Sequence, residues 1–304
     1  MRSPAPALLT GLGLVLALTA CSSQNPAPDD GAATIDLAAP AAQMTCLREH
    51  GYTMLAAHRA GPADGYAENA LSSLRRLAEM GVLYAEIDVR RSADGILFLL
   101  HDDTLDRTTT GTGPAETLDW ATLAAYRLTD PRGLETGDTI PTLDQAVDLA
   151  REAGLVLNLD LKSVSPADIV AHLDSRNARD LVAVIAYSVD DTAALHRADP
   201  GMMVSAPNDI PALRDAGANT DALYVWMGVG AANAAEDARL AEQGLETSAG
   251  LFPLEDGTPA VYRAAASAGV ELLSIDDVDT AVAALGGADQ LRTQIATCAP
   301  QSEH

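Results

Sequence analysis

Short apolar runs alternate along this chain with longer, Ala-rich stretches whose apolar residues recur at helical spacing. The runs are almost continuously apolar, which is typical of strands that are buried on both faces. Several of the helical stretches are followed by glycine, the residue expected just after a helix. The candidate strands are 53–57, 83–88, 96–100, 155–161, 181–187, 202–205, 222–226, 245–249 and 271–275. This alternation predicts parallel strands whose outer face is covered by helices.

The pattern predicts one α/β domain, a (β/α)8 TIM barrel formed by residues 44–304. A domain of roughly 260 residues suits such a barrel. The strand candidates exceed eight by one, so we expect one of them to be a hairpin arm or an irregular segment. The pattern alone does not identify which. A polar, Thr/Gly-rich connection over residues 102–141 is long enough to suggest a functional insertion.

The N-terminal residues 1–21 have the pattern of a signal peptide, with one arginine and then an apolar run over residues 8–20. That run is too short to span a bilayer. It ends in Leu-Thr-Ala-Cys, which resembles a bacterial lipoprotein box, so Cys21 is the expected lipidation site. An ordinary signal peptide with a chance cysteine is the alternative. Residues 22–43 are rich in Pro, Ala and Asp, which indicates a flexible tether. We therefore expect an exported lipoprotein of the cell envelope, anchored to the membrane outside the cytoplasm.

The cysteines that remain, Cys46 and Cys298, stand at the two ends of the predicted domain. Because exported proteins meet an oxidising environment, we expect these two residues to form a disulfide. Two separate buried thiols are the alternative.

The chain is strongly acidic, with a formal net charge of −24. Such a charge makes nucleic acid a poor partner, because the phosphate backbone is itself anionic. If the substrate is a small anion, cations close to the site must override the overall field.

Charged residues stand in or at the ends of several apolar runs, where they are rarely buried without a partner or a metal. They are His58, Arg59, Glu86, Asp88, His101, Asp160 and Lys162, the last being the only lysine of the chain. Active sites of α/β barrels lie at the C-terminal ends of the strands. We therefore expect these residues to converge on one polar site.

The acidic residues of this set have the spacing of metal ligands. Side chains alternate faces along a strand, so Glu86 and Asp88 point the same way, as do Asp160 and Lys162. Three carboxylates with room for water suit one hard divalent cation, Mg²⁺ or Ca²⁺, rather than zinc. The alternative for the first two acids is an ion pair with the arginine at position 90 or 91.

The two histidines of the set each follow a candidate strand. His58 and His101 could divide acid and base catalysis, since the unperturbed pKa of histidine lies near neutrality. Arg59 could hold a phosphate oxygen through its fork of donors, or it could pair with Glu68 or Asp64. The other histidines have no such setting and are expected at the surface: His50, His172, His196 and His304.

Six short motifs follow one another in order over residues 54–162. They are Ala57-His58-Arg59, Glu68-Asn69-Ala70, Glu86-Ile87-Asp88-Val89, the segment 101–113 that begins His-Asp-Asp-Thr-Leu, Ile140-Pro141-Thr142-Leu143 and Asp160-Leu161-Lys162. Together they resemble the glycerophosphodiester phosphodiesterase family. Weaker similarities follow at residues 186–188 and 274–277.

The resemblance implies an eightfold α/β barrel that hydrolyses glycerophosphodiesters to sn-glycerol 3-phosphate and an alcohol with the help of a divalent metal. By position, the roles it implies are metal binding for Glu86, Asp88 and Asp160, acid–base catalysis for His58 and His101, and substrate or phosphate binding for Arg59, Asn69, Lys162 and Trp226. For Trp226 a plain core aromatic is the alternative. The implied partner is a small glycerophosphodiester or a lysophospholipid.

Two positions depart from the family pattern. Ala60 stands where the family usually has glycine, and Asp160 stands where it usually has the longer glutamate. The Asp-x-Lys form resembles the related sphingomyelinase D-like branch. A lysophospholipase D-like enzyme that forms a cyclic phosphate is therefore an alternative, and it would need an apolar rim near the site. A non-catalytic phosphodiester-binding lipoprotein is a further hypothesis, which Ala60 favours.

Overall fold

The computed structural model describes Met1 and residues 39–300 of the chain. The predicted signal peptide, Cys21, most of the predicted tether and His304 lie outside the described residues. The first helix begins at Pro40, so residues 40–43, which the sequence pattern assigns to the tether, are helical. Within residues 39–300 no helix is both long enough and apolar enough to cross a bilayer.

The described residues form alternating strands and helices. The strands are β1 (Met54–Ala57), β2 (Tyr84–Arg91), β3 (Leu97–Leu99), β4 (Arg127–Thr129), β5 (Glu135–Thr139), β6 (Val156–Leu161), β7 (Val182–Ile185), β8 (Met203–Pro207), β9 (Leu223–Val229), β10 (Glu246–Gly250) and β11 (Leu272–Ile275). The helices are α1 (Pro40–His50), α2 (Leu71–Glu79), α3 (Trp120–Leu123), α4 (Leu143–Ala153), α5 (Pro166–Ser175), α6 (Val189–Ala198), α7 (Ile210–Asp215), α8 (Ala234–Ala241), α9 (Ala260–Ser267), α10 (Val278–Ala284) and α11 (Ala288–Thr297).

Eight parallel strands close into a barrel, which confirms the predicted fold. The order around the barrel is β1, β2, β6, β7, β8, β9, β10 and β11, and β11 pairs with β1 to complete the circle. The surplus strand candidate, 96–100, is β3. It runs antiparallel to β2 and forms the outer arm of a hairpin. A second small hairpin, β4 with β5, lies within the long insertion.

The alternation of side chains along each strand divides the buried residues into two layers. On β2, Ile87 and Val89 belong to the apolar cluster between the strands and the surrounding helices. Tyr84, on the opposite face, packs inside the barrel. Glu86 and Asp88 lie on the same face as Tyr84, closer to the C-terminal end of the strand. Strand alternation therefore places the acids inside the barrel at its mouth.

Helices α1 and α11 close the other end of the barrel. Met44 and Leu47 of α1 and Ile295 of α11 belong to the same cluster as the lower interior residues. Cys46 and Cys298 form a disulfide whose Cα atoms are 5.7 Å apart, which confirms the predicted pairing. The two ends of the domain are therefore joined beneath the barrel, at the face opposite the acidic cluster.

One prediction about the histidines is wrong. His196 is buried, and its Nε2 lies 3.0 Å from the carbonyl oxygen of Met202. Its Nδ1 accepts a hydrogen bond from the amide of Asn219 at 3.0 Å. Burial lowers the pKa of His196, so the neutral ring joins α6 to the segments that precede β8 and β9. His50 is exposed, as predicted.

Candidate active site

Three carboxylates meet at the C-terminal mouth of the barrel. Asp88 on β2 and Asp160 on β6 are direct partners in the register of these strands, and Glu86 is paired with Asn158 two residues below. Each acid offers an oxygen that lies within 4.8 Å of the other two, and all three side chains are buried. The predicted convergence of these acids is thus present in the structure.

Polar side chains hold two of these acids in place. Asn69 donates from its Nδ2 to Asp88 Oδ2 at 2.7 Å and accepts from the Asp88 amide at 2.9 Å. Lys162 Nζ lies 2.6 Å from Asp160 Oδ2 and 3.0 Å from Asp88 Oδ1. The hydroxyl of Tyr187 donates to Asp160 Oδ2 at 2.7 Å. The remaining oxygen, Asp160 Oδ1, is buried and has no hydrogen-bond partner in the part of the chain that the structure describes.

The charge balance of the cluster favours a cation. Burial, together with the nearby Asp88 carboxylate, raises the pKa of Glu86 well above its ordinary value. Burial alone would lower the pKa of Lys162, but the carboxylates beside it raise that pKa. One ammonium cannot balance three carboxylates, and buried acids of this kind need a further positive charge. The all-oxygen donor set and the unpartnered oxygen of Asp160 fit a hard divalent cation such as Mg²⁺ or Ca²⁺.

The turn after β1 brings a backbone amide to the same cluster. Residues His58–Ala60 form a 3-10 turn in which the amide of Arg59 donates to Glu86 Oε2 at 2.6 Å. Arg59 and Ala60 both adopt left-handed backbone angles, with φ of 51° and 62°. Such angles cost a non-glycine residue about 1–2 kcal/mol each. Ala60, at the usual glycine position, therefore keeps the left-handed turn at the expense of local strain.

His58 stands on one wall of the mouth. Its Nδ1 lies 2.8 Å from Asp276 Oδ1, and its ring packs against Phe252 with centroids 4.7 Å apart. The amide of Asp276 in turn donates to Glu255 Oε2 at 2.8 Å. Because a carboxylate only accepts hydrogen bonds, Nδ1 carries the proton and Nε2 is the nitrogen available to the cavity.

His101 stands beside the extended end of β2 and has a different pair of neighbours. Its Nδ1 lies 2.7 Å from Asp102 Oδ1, and its Nε2 lies 2.9 Å from a guanidinium nitrogen of Arg59. A guanidinium can only donate, so Nε2 must be the accepting nitrogen and Nδ1 must carry the proton. His101 thus lies between Asp102 on Nδ1 and the Arg59 guanidinium on Nε2.

A closed cycle of ion pairs supports His101. Arg107 contacts both carboxylate oxygens of Asp102, at 2.7 and 2.8 Å, and both of Glu68, at 2.8 and 2.9 Å. Glu68 reaches Arg59 at 3.4 Å, and Arg59 returns to His101. The hydrogen bonds from Arg107 lower the pKa of Asp102 below its ordinary range. The alternative pairing of Arg59 with Glu68 therefore exists, but as part of the site.

His101 reaches the mouth by a route that the sequence pattern did not predict. It follows the hairpin arm β3 rather than a barrel strand. The last residues of β2 extend beyond the barrel, and β3 returns beside them until the Leu100 amide donates to the carbonyl oxygen of Asp88 at 3.1 Å. Arg90 then donates to the carbonyl oxygen of His101 at 2.7 Å and pairs with Glu116 at 2.7 Å. The alternative that Arg90 or Arg91 pairs with the acidic cluster is therefore wrong. Arg90 pairs with Glu116, and Arg91 pairs with Asp168.

A cavity of about 320 Å³ lies between His58 and the acidic cluster. Its polar floor includes Glu86, Asp160 and Asn158, and Tyr224 donates to Asn158 Oδ1 at 3.0 Å beneath them. Its other walls are lined by Ile185, Ala186, Tyr187, Ser205, Pro207, Trp226, Val229, Ser248, Phe252 and Ser274. Trp226 therefore borders the site rather than the closed core.

Several residues of the site were not predicted from the sequence. They are Asp102, Arg107, Asn158, Tyr187, Tyr224, Phe252, Glu255 and Asp276. Asp102 and Arg107 belong to the motif that begins at His101, and Asp276 lies in one of the weaker similarities, so a signal for them was present. Glu255 and Phe252 carry no such local signal.

Comparison with known proteins identifies a family. The family model for the glycerophosphoryl diester phosphodiesterase family matches residues 58–274. A curated glycerophosphodiester phosphodiesterase of Caldanaerobacter subterraneus is 33% identical over 116 residues, which are 36% of this chain and 46% of that protein. The chain thus spans less than half the length of this relative.

Two solved structures share the fold. A glycerophosphoryl diester phosphodiesterase of Parabacteroides distasonis has a TM-score of 0.73 at 24% identity and covers 89% of this chain and 96% of its own. A glycerophosphodiester phosphodiesterase of Agrobacterium tumefaciens has a TM-score of 0.61 at 26% identity and covers 76% and 99%. Both likenesses agree with the closed eight-stranded barrel described above.

Proposed function

This chain belongs to the glycerophosphoryl diester phosphodiesterase family, and we propose that it hydrolyses glycerophosphodiesters to sn-glycerol 3-phosphate and an alcohol. The observation that carries this proposal is the placement of two imidazoles beside one buried cluster of three carboxylates. His58 borders the same cavity as Glu86 and Asp160, and His101 contacts the arginine whose amide binds Glu86. Such a site offers a proton acceptor, a proton donor and a cation site around one phosphate.

Glu86, Asp88 and Asp160 would hold the divalent cation, Mg²⁺ or Ca²⁺. When bound, that cation supplies positive charge that stabilises the phosphoryl oxygens as the phosphorus becomes pentacoordinate. Two side chains add to that field. Lys162 lies against Asp88 and Asp160, and Arg59 has a buried Nε without a hydrogen-bond partner among residues 39–300. A donor of this kind matches a phosphate oxygen.

We propose different tasks for the two histidines. In this scheme His101, whose Nε2 accepts from Arg59 in the structure, takes a proton from the attacking water as the new phosphorus–oxygen bond forms. In the proposed acid role, His58 gives a proton from Nε2 to the leaving alkoxide as the ester bond breaks. The Asp276 carboxylate beside Nδ1 stabilises that protonated ring. Asp102 does the same for His101 once it has accepted its proton.

The identity of the product tests this proposal. Purified protein supplied with Mg²⁺ or Ca²⁺ is expected to convert glycerophosphocholine to glycerol 3-phosphate. The conversion is monitored by ³¹P NMR. Attack by the neighbouring glycerol hydroxyl instead of water would give a cyclic phosphate, which has a distinct ³¹P resonance. No product with either metal would favour the binding-protein hypothesis.

His101→Ala should lower kcat by orders of magnitude with an unchanged melting temperature, whereas His50→Ala, at an exposed histidine, should retain activity.

We also propose that the protein is exported and anchored through a lipid on Cys21, with the residues that follow as a tether. The Cys46–Cys298 disulfide supports export, because disulfides persist mainly in oxidising compartments. Cys21→Ser should move the protein from the membrane fraction to the soluble extracytoplasmic fraction. An unchanged distribution of this variant would contradict lipid anchoring.

A further inference from the structure

The pair formed by His58 and Asp276 is not fixed by burial. Asp276 Oδ1 lies 2.8 Å from His58 Nδ1, yet the side chain of Asp276 is 55% exposed. Within residues 39–300 the Asp276 carboxylate has no hydrogen-bond partner other than His58. An exposed carboxylate with a single partner loses little when it turns to water instead. The position of this carboxylate therefore depends on what holds the backbone of Asp276.

Glu255 holds that backbone. Its Oε2 accepts from the amide of Asp276 at 2.8 Å, and its Oε1 accepts from the amide of Asp277 at 3.2 Å. These two residues form the connection between β11 and α10. Hydrogen bonds from backbone amides to a carboxylate are stronger than those between neutral groups. Glu255 therefore binds the two amides of the turn that carries the partner of His58.

Glu255 is itself held by the layer of helices. The side chain of Tyr262, on α9, is fully buried, and its hydroxyl donates to Glu255 Oε1 at 2.9 Å. Three donors thus converge on one carboxylate, which is the number that an ionised acid, an acceptor only, can satisfy at once. A continuous series of hydrogen bonds leads from Tyr262 through Glu255 and Asp276 to the ring of His58.

The loop that carries Glu255 makes a second contact with His58. It leaves β10 with the amide of Leu251 donating to the carbonyl oxygen of Ser274 at 2.9 Å, and Phe252 then packs against the ring of His58. A Cβ atom at Gly250 would lie 2.8 Å from an atom of the Phe252 ring, so that ring has little free space behind it. One loop therefore limits both the tilt of His58 and the position of its carboxylate partner.

We propose that Glu255 is a positioning residue for the general acid. By holding the turn at Asp276, it keeps the hydrogen bond to Nδ1 of His58 and so keeps Nε2 directed at the leaving alkoxide. This inference rests on the proposed phosphodiesterase function and on the acid role of His58. Glu255 does not line the cavity at the barrel mouth, so it acts through Asp276 and not on the substrate.

The dependence of the rate on the leaving group tests the inference. A general acid is needed when a strongly basic alkoxide leaves, as in glycerophosphocholine, and hardly at all when p-nitrophenolate leaves. The second substrate is therefore the p-nitrophenyl ester of glycerol 3-phosphate, and both substrates are assayed at saturating metal. The readouts are choline release for the first and absorbance for the second.

Glu255→Gln keeps the shape of the side chain but places an amide NH₂ against one of the two backbone amides, so one contact is lost. We expect kcat for glycerophosphocholine to fall about tenfold or more with KM little changed, and kcat for the nitrophenyl ester to stay within about twofold. Tyr262→Phe removes the donor to Glu255 and should act in the same direction.

Two further variants calibrate this result. His58→Ala should show the same selectivity more strongly, with a loss of about a hundredfold or more for glycerophosphocholine. Asp256→Asn is the matched control, because Asp256 is an exposed acid in the same loop that accepts only from Thr258. It should change neither kcat nor KM for either substrate.

The outcomes distinguish this inference from the function on which it rests. An equal loss for both substrates in Glu255→Gln overturns the inference, because Glu255 then supports the site as a whole. An unchanged kcat for glycerophosphocholine also overturns it and leaves the phosphodiesterase function intact. If Glu255→Gln does not fold, the same ratio in Tyr262→Phe decides. A wild-type protein that hydrolyses neither substrate overturns both the inference and the function.

Discussion

At the scale of single residues, the two histidines of the mouth differ in what faces each ring. His58 has a carboxylate on Nδ1 and an aromatic ring at its side. His101 has a carboxylate on Nδ1 and a guanidinium, that of Arg59, on Nε2. Nε2 of His101 therefore accepts a hydrogen bond in this structure, which fits the proposed role of this ring as the base.

Asp102 is predicted to be a positioning residue for this base. Asp102→Asn replaces the acceptor of the Nδ1 proton with an amide that can also donate, so the ring loses its fixed tautomer. We expect kcat to fall about a hundredfold or more with little change in KM. The kinetic constants for glycerophosphocholine and the pH profile of kcat are the measurements.

Asp103→Asn is the control for this variant, since Asp103 is an exposed neighbour of the same charge. It should have the same kcat and the same pH profile of kcat as the wild-type protein. Equal effects of the two substitutions, or an Asp102→Asn enzyme with the original kcat and pH profile, would contradict the assigned role.

The residues that could be predicted from the sequence are those within local motifs. Alternation along a strand places Glu86 and Asp88 on one face, and the structure shows both inside the barrel. Asp276, by contrast, lies 218 positions from the histidine that it contacts. Its own support, Glu255, is held by a loop whose sequence has no distinguishing pattern. Contacts of this kind depend on the closed barrel, so they become visible only in three dimensions.

At the scale of elements, the β2–β3 hairpin decides where His101 stands. Its second arm is as apolar as a barrel strand, because Leu97 and Leu99 are buried in the main core and Phe98 is buried in the apolar cluster of the long insertion. The apolar pattern therefore could not show which of the strand candidates was surplus. The boundaries of the barrel strands were easier to predict, as for 155–161, where the structure has Val156–Leu161.

The insertion over residues 102–141 contributes directly to the site, as its length suggested. It supplies Asp102 and Arg107, and Arg107 ties it to Glu68 near the start of α2. Its own core is a separate apolar cluster that includes Leu105, Leu123 and Leu128. The residues that support His101 thus belong to an element with its own packed core.

The disulfide between α1 and the end of α11 is predicted to stabilise the fold without affecting catalysis. It joins residues 252 positions apart and so restricts the unfolded chain strongly. The double variant Cys46→Ser/Cys298→Ser should lose about 2–4 kcal/mol of unfolding free energy. It should keep its kcat, because the bond lies at the end of the barrel opposite the site.

Chemical denaturation with and without a reducing agent checks this prediction. The reducing agent should destabilise the unchanged protein and leave the double variant unaffected. A double variant as stable as the oxidised protein would contradict the stabilising role, and a loss of kcat in folded protein would contradict its distance from catalysis.

At the scale of the whole molecule, three cationic side chains stand at the mouth of a strongly acidic chain. The net charge is −24, yet Arg59, Arg107 and Lys162 all contact the groups of the mouth. This meets the expectation that local cations must override the overall field around an anionic substrate. The remaining negative charge includes buried acids at the other end of the barrel, which affect stability.

Glu271 is the clearest of these acids. It lies just before β11, and Asp237 is close by. Burial raises the pKa of Glu271 from an ordinary value of 4.5 to about 7, although the Thr247 amide that donates to it at 2.7 Å opposes the shift. Between these two pH values the folded protein keeps a proton that the unfolded chain releases. The contribution of this residue to stability is therefore fully present below about 4.5 and is lost as pH rises through about 7.

Glu271→Gln should remove this dependence. The variant is expected to match the unchanged protein near pH 4.5 and to exceed it by about 3 kcal/mol at pH 8. Denaturant unfolding at the two pH values is the measurement, and the difference between the proteins isolates this one group from other titrating acids. A difference that is the same at both pH values would contradict the assigned pKa.

Metal restoration to chelator-treated protein tests metal-dependent hydrolysis at the three carboxylates most directly. Hydrolysis of glycerophosphocholine is measured after removal of bound metal and then during titration with Mg²⁺ or Ca²⁺, in the unchanged protein and in Asp160→Asn. We expect no hydrolysis without metal, saturable recovery in the wild-type protein, and recovery in the variant only at much higher metal concentration. Full activity in the presence of the chelator, or identical titration curves for the two proteins, would contradict this expectation.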